Sequence, residues 1–149
     1  IRDFCLSRGL GDVYKRQEEL ISQFELVDDW MDRYQMIIDL GDQLEPVDDT
    51  EHTSENLIDG CQSRVWIIIS PQEDGTLHLK ADSDALITKG IAAMLLYCYN
   101  DQPAQAIVET PLYFIDRLGL QSHLSPTRSN GLQSMYETIR RRAQEFLSH

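Results

Sequence analysis

Between Glu18 and Leu40 the apolar positions are Leu20, Ile21, Phe24, Val27, Trp30, Met31, Tyr34, Ile37 and Ile38. Steps of three and four are the period of one helical face, so the stretch reads as one helix or two, with Asp28 or Asp29 capping the second and Gly41 as a stop. Trp30 and Tyr34 read as core packing rather than as a ligand box. From Gly41 to Asp59 the chain is polar, acidic and broken by Pro46, a loop with at most a short turn; His52 lies in it alone, as a solvated side chain. Val65 to Ile69 is short, β-branched and aromatic, the signature of a buried strand. Pro71 ends it, Asp74-Gly75 is a hairpin turn signal, and Thr76 to Ala81 alternates as a half-exposed strand does. Leu57 and Ile58 are candidates for a third short strand.

Asp82-Ser83-Asp84 places capping side chains and acids ahead of an apolar run, which predicts a helix from about Ala85 to Tyr99. That helix is apolar nearly all round, so it should be central and packed on more than one side. Cys98 on it reads as core, and Gly90 as a point of close packing against the sheet. Pro103 suits the first turn of a short helix through Glu109. Thr110-Pro111 opens another from Leu112 to Leu118, closed by Gly119. Gln121 to Asn130, with His123 and Pro126, reads as a loop. The last helix is predicted from Asn130 or Gly131 to Leu147, with Leu132, Met135, Tyr136, Ile139, Ala143 and Phe146 as its inner stripe and Arg140-Arg141-Arg142 as a solvated face. The pattern predicts an α+β fold: a small antiparallel sheet of two or three strands packed on helices.

Composition narrows the function. The chain has 149 residues, of which 42% are hydrophobic, enough for one domain with its own core. Its formal net charge of -12 disfavours nucleic acid and anionic membrane as partners, and no apolar run approaches the roughly 20 residues that span a bilayer. The three cysteines, Cys5, Cys61 and Cys98, show no paired spacing, which fits free thiols in a reducing, cytoplasmic setting. Residues 1–17 stand apart. They carry Arg2, Arg8, Lys15 and Arg16 against Asp3 and Asp12, show no helical or strand period, and lack the apolar core of a secretory signal. The string from Cys5 to Gln17 resembles a translated adapter scar, so the segment is expected to be foreign or disordered and the domain to occupy residues 18–149. A basic arm is the alternative.

The candidate chemistry lies at Asp59-Gly60-Cys61-Gln62-Ser63-Arg64-Val65-Trp66. A thiol on a turn directly before a stiff strand is carried by the strand but sits outside it. Gly60 lets the backbone take positive φ and lets a partner approach. Arg64 is close enough in sequence to favour the thiolate, the reactive form. The alternative is a small half-buried residue at a strand start. There is no Gly-rich phosphate loop and no G-x-S-x-G, and His52, His78, His123 and His149 lack metal-ligand spacing. A cysteine hydrolase or acyl-transfer enzyme would need an oriented base, for which His78 and His123 are the candidates, although His78 should sit towards the far end of the hairpin. A module that binds its partner with Cys61 merely structural is the other possibility.

Gly60-Cys61-Gln62-Ser63-Arg64-Val65-Trp66 resembles the active-site loop of the SufE/CsdE family of sulfur acceptors. Two further blocks agree in order and spacing. Ala81 to Ala85 followed by Ile87-Thr88-Lys89-Gly90 is similar to the family's strand-to-helix junction, and Leu124 to Leu132 to its C-terminal arginine-loop signature. The resemblance covers Glu18 to the C-terminus. It implies a protein that takes sulfur from a pyridoxal-phosphate cysteine desulfurase of the SufS/CsdA kind, stimulates that enzyme, and passes the sulfur towards an iron–sulfur cluster scaffold. It further implies that Cys61 receives the persulfide, with Gly60, Gln62 and Ser63 supporting it, Arg128 in the partner-facing region, and Asp84 at the start of the central helix. The chain itself would need no cofactor and no metal, since the pyridoxal phosphate belongs to the partner; a homodimer of the free form is left open. A pocket formed by apolar residues after Cys61 and by the central helix is expected to shelter the persulfide.

Overall fold

A computed structural model of the chain describes residues 11–61 and 63–148. Helices α1 (Asp12–Glu25) and α2 (Trp30–Asp42) lead through a loop holding a single 3-10 turn, Asp49–Glu51, into strands β1 (Val65–Pro71) and β2 (Thr76–Ser83). The central helix α3 (Leu86–Tyr99) follows, then β3 (Gln102–Pro103), the short helices α4 (Ala104–Glu109), α5 (Phe114–Leu118) and α6 (Leu120–His123), and the long α7 (Pro126–Leu147). The fold is α+β, as the pattern of apolar positions predicts.

The first helix starts inside the segment set apart above. Val13 and Gln17 have no exposed surface, the Gln17 carboxamide accepts a hydrogen bond from Tyr113 N at 2.8 Å, and the Arg16 guanidinium donates to Asn100 O at 2.6 Å. Residues 12–17 are therefore packed into the body of the fold, whatever their origin. Their buried face runs Val13, Gln17, Leu20, Ile21, Phe24; because its second member is polar, the apolar period is hidden in the sequence. Cys5 lies outside the described residues.

At α2 the Asp29 carboxylate accepts from Met31 N at 3.0 Å, the expected cap. Gly41 does not stop this helix. It is buried in the last turn, where an added Cβ would fall 2.9 Å from Gly90 N, and one on Gly90 would fall 2.1 Å from Ile37 O. The two glycines let α2 and α3 cross backbone against backbone, so the close contact at Gly90 is with α2 rather than with the sheet.

The sheet order is β1-β2-β3, antiparallel throughout, with Val65 opposite Ser83 and Pro71 opposite Leu77. Its third strand is Gln102–Pro103, paired to Leu77 and Thr76, whereas Leu57 contributes one isolated bridge to Trp66. Helix α3 packs against α2, β2 and α7, so nearly every side of it is buried; Ile91, Met94, Leu95 and Cys98 join Ile67 and Leu79 in the core. Helix α7 starts at Pro126 rather than at Asn130, because Ser125-Pro126 is itself an N-cap and first-turn pair: the Ser125 hydroxyl accepts from Arg128 N at 3.2 Å. Two of the three arginines expected on a solvated face are clamps instead. Arg142 donates to Ile67 O at 2.9 Å and Glu55 O at 2.8 Å, and Arg140 to the carbonyls of Ile107 and Val108.

Candidate functional site

Cys61 lies in the loop between Ile58 and Val65, whose entrance is pinned to the first strand and whose exit is pinned to the end of the second. At its entrance Ile58 N donates to Val65 O at 2.8 Å and Ile67 N to Asn56 O at 2.9 Å. At its exit the Asp84 carboxylate accepts from Arg64 N at 3.1 Å, and the Ser83 hydroxyl donates to Arg64 O at 2.8 Å. In the run Asp82-Ser83-Asp84, read from the sequence as a helix cap, Ser83 and Asp84 fasten the cysteine loop while Asp82 holds His52 and Lys89; the residue that caps α3 is Ala85, with no side-chain cap bond. Gly60 takes φ +87, the conformation that the turn requires.

Between these fixed ends the loop leans on α7. The Cys61 side chain is half-buried, and its Sγ donates a long bond to Gly131 O at 3.8 Å. A Cβ on Gly131 would come within 3.3 Å of that sulfur, and one on Gly60 within 2.6 Å of Ser134 Oγ. Two missing side chains, one on the loop and one on the helix, make the seat of the thiol.

The thiol borders a cavity of about 290 Å³ that is open to solvent. Cys61 and Ser63 line it from the loop, Thr88 from the first turn of α3, and Ser125, Thr127 and Arg128 from the cap and first turn of α7. The apolar pocket expected from the sequence is therefore a hydroxyl-rich one. Two helix N-termini meet at it, where unpaired N–H groups and the macrodipole favour negative charge. Arg128 is exposed, and among the described residues no carboxylate or carbonyl engages its guanidinium. Arg64 does not reach the sulfur. Its guanidinium pairs with Asp84 Oδ2 at 3.4 Å and lies 5.7 Å from the centre of the Trp66 ring. Burial pushes the Cys61 thiol up from its ordinary value, so in this loop position the protonated form is favoured and Arg64 does not offset it.

Of the residues singled out in the sequence, Cys61, Ser63 and Arg128 come together on one cavity, Gly60 makes its turn, and Asp84 holds the loop exit without lining the cavity. Gln62 lies outside the described residues. Thr88, Thr127 and Gly131 were not singled out, although all three fall within the blocks that carry the family resemblance.

No described histidine lines this cavity. His52, expected to be solvated, stacks on Trp66 at 4.1 Å and lies 2.7 Å from Asp82 Oδ2. His78 is held between Asp101 at 2.8 Å and Glu45 at 2.7 Å, opposite Ser70 towards the hairpin turn. His123 stacks on Trp30 at 3.8 Å, and the Tyr34 hydroxyl donates to its carbonyl, so Trp30 and Tyr34 fasten α2 to α6. A larger cavity of about 510 Å³ between α1, α2 and α3 is lined by neither cysteine nor histidine. Among the described residues no cluster of His, Cys, Asp and Glu could hold a metal ion, and no helix is long and apolar enough to cross a membrane.

Residues 18–143 match the family model described as SufE, Fe-S metabolism associated domain. Among solved structures the chain is similar to a hypothetical protein from Thermus thermophilus, determined in solution. The TM-score is 0.74, at 18% identity over 90% of this chain and 97% of that one, a likeness of fold.

Proposed function

The chain belongs to the SufE family, the Fe-S metabolism associated domain, and on that premise we propose that Cys61 accepts the persulfide sulfur of a cysteine desulfurase and passes it on for iron–sulfur cluster assembly. The observation that carries the reading is the seat of the thiol: half-buried, bordering a hydroxyl-lined cavity at two helix N-termini, beside an arginine whose guanidinium no described residue engages.

The reaction is a sulfur exchange. The Cys61 thiolate attacks the outer sulfur of the donor persulfide; the new S–S bond forms as the donor S–S bond breaks, and the donor cysteine leaves as a thiolate with the electron pair. No net oxidation occurs, and one acceptor cysteine suffices. The thiol is protonated and half-covered when seated on α7, so attack calls for the loop to move outward, which exposes the sulfur and removes the burial that opposes its ionisation. The bonds of Ile58 to Val65 and of Arg64 to Asp84 hold the two ends of the loop and confine that motion to the stretch between them. Returning to its seat, the loaded cysteine carries its outer sulfur into the cavity. Pyridoxal phosphate stays on the partner, and docking stimulates it. A hydrolase would require a base beside the sulfur, and the described histidines are engaged elsewhere.

The test is to incubate the chain with a cysteine desulfurase and cysteine and to map the product by mass spectrometry. One sulfur, about 32 Da, is expected on the Cys61 peptide as a persulfide. A Cys61→Ser chain that stimulates the desulfurase as fully as the parent would overturn the mechanism.

A further inference from the structure

The cavity beside Cys61 contains a polar side chain with nothing to bind. Thr88 is only 7% exposed, lines the cavity from the first turn of α3, and makes no hydrogen bond to any described residue. Among the described residues the enclosed side-chain polar atoms without a partner are Gln102 Oε1 and Thr110 Oγ1; the Thr88 hydroxyl is not one of them and keeps access to the cavity that the side chain lines. The other hydroxyl whose role is settled, Ser125, spends its acceptor on the helix cap. Thr88 has no such duty, so its donor is free for whatever enters the cavity.

What enters must suit the surroundings. Among the described residues the one charged side chain lining the cavity is Arg128, and no carboxylate lines it; Asp84 is engaged with Arg64, Asp82 with His52 and Lys89, and Asp59 is exposed and lines a different cavity. Hydroxyl donors, a free guanidinium and helix N-termini together select an anion. Resting on the function proposed above, we propose that Thr88 is a positioning residue that donates its hydroxyl hydrogen to the ionised outer sulfur of the Cys61 persulfide. The outer sulfur releases its proton to solvent and stays as the anion, the Thr88 hydroxyl and Arg128 sharing its charge. Held there, the sulfur stays nucleophilic and reachable through the cavity mouth by the next acceptor.

The test charges the 149-residue Cys5→Ser chain with inorganic polysulfide, so that loading does not depend on a desulfurase, and removes the excess. The rate at which a neutral alkylating agent caps the outer sulfur is then followed against pH, with the urea midpoint measured alongside. Removing a hydrogen bond to the charged form should move the midpoint of the pH profile upward in Thr88→Val by about one pH unit. Thr88→Ser, which keeps the hydroxyl, should restore the parent profile. A packing role alone would alter the urea midpoint and leave the pH profile in place; Thr88→Val with the parent profile, or Thr88→Ser shifted as far as Thr88→Val, overturns the proposal. Charging the parent chain with a desulfurase separates the two readings. A parent that takes sulfur from the enzyme while Thr88→Val keeps the parent profile retains the function and loses the Thr88 role. A parent that shows the Thr88-dependent profile but takes no sulfur from any desulfurase retains the anion seat and loses the function.

Discussion

Replacing Gly131 by alanine would set one methyl group against the Cys61 sulfur and so reveal how the thiol is held. The backbone at Gly131 is ordinary helix, so alanine is conformationally allowed, and in a helix interior it is worth about 1 kcal/mol more than glycine. That gain is present whether the cysteine loop is seated or not. The new carbon would lie 3.3 Å from Sγ and 3.9 Å from the Cys61 Cβ. Ordinary non-bonded contact lies at about 3.5–4.0 Å, so the seated loop is crowded by a few tenths of an ångström. Overpacking of that kind costs about 1 kcal/mol at the low end of its range, and it falls on the seated state alone. An imbalance of about 1 kcal/mol shifts the loop equilibrium roughly fivefold towards the open form. The assay is iodoacetamide alkylation of Cys61 in a Cys5→Ser background, at reagent concentrations where the rate follows the open population. Cys98 serves as the internal control: it is fully buried, its thiol is pushed up to about 12 by burial, and it should label only on global unfolding. Gly131→Ala should label Cys61 about five times faster with an unchanged or raised urea midpoint. Labelling at the parent rate, with the fold intact, would refute the idea that the thiol is seated on α7. Faster labelling of Cys61 and Cys98 together would place the strain in the fold rather than in the loop.

Gly90→Ala should be severe, because the added carbon would meet the Ile37 carbonyl oxygen at 2.1 Å and backbone cannot yield as a side-chain tip can. We expect a loss of about 3 kcal/mol or more in urea unfolding, at or beyond the top of the usual overpacking range; a loss under about 1 kcal/mol would show that α2 and α3 do not cross there. His78 provides a pH signature. Its hydrogen bond to Asp101, and then that to Glu45, raise its pKa above the ordinary 6.5. The stabilisation from the protonated ring is therefore complete below about pH 6.5 and is lost as pH climbs through the raised value. The difference in urea midpoint between the parent and His78→Gln should be larger at pH 6 than at pH 9, and a gap that does not change with pH would rule out the clamp.

Much of this was legible in the residue pattern. Three- and four-residue spacing marks the faces of α1, α2, α3 and α7, and Asp74-Gly75 marks the hairpin, because these signals are local and a face must be apolar wherever it is buried. The loop that carries Cys61 was legible as well, from a glycine, a thiol and a β-branched run in succession. Local pattern failed where one polar residue occupied a buried slot, as Gln17 does in α1, and where one signal admits two uses. Asp82-Ser83-Asp84 looks like a helix cap, and its Ser83 and Asp84 are instead the latch on the cysteine loop. Gly41 looks like a helix stop and is a crossing point.

The longer helices, the hairpin and the presence of one thiol at a strand mouth belonged to the chain itself, whereas the third strand at Gln102–Pro103 and the short helix Leu120–His123, where the sequence reads as a loop, did not. Nor did the seat of that thiol. Gly131 lies 70 residues from Cys61, Thr88 reaches the same cavity from another helix, and the arginine clamps at 140 and 142 bind carbonyls on elements far away in the chain. Spacing encodes which face of an element is buried and not what it is buried against. Burial of the sulfur, the free hydroxyl beside it and the guanidinium at the rim exist as one site only once α3, α7 and the loop have packed together.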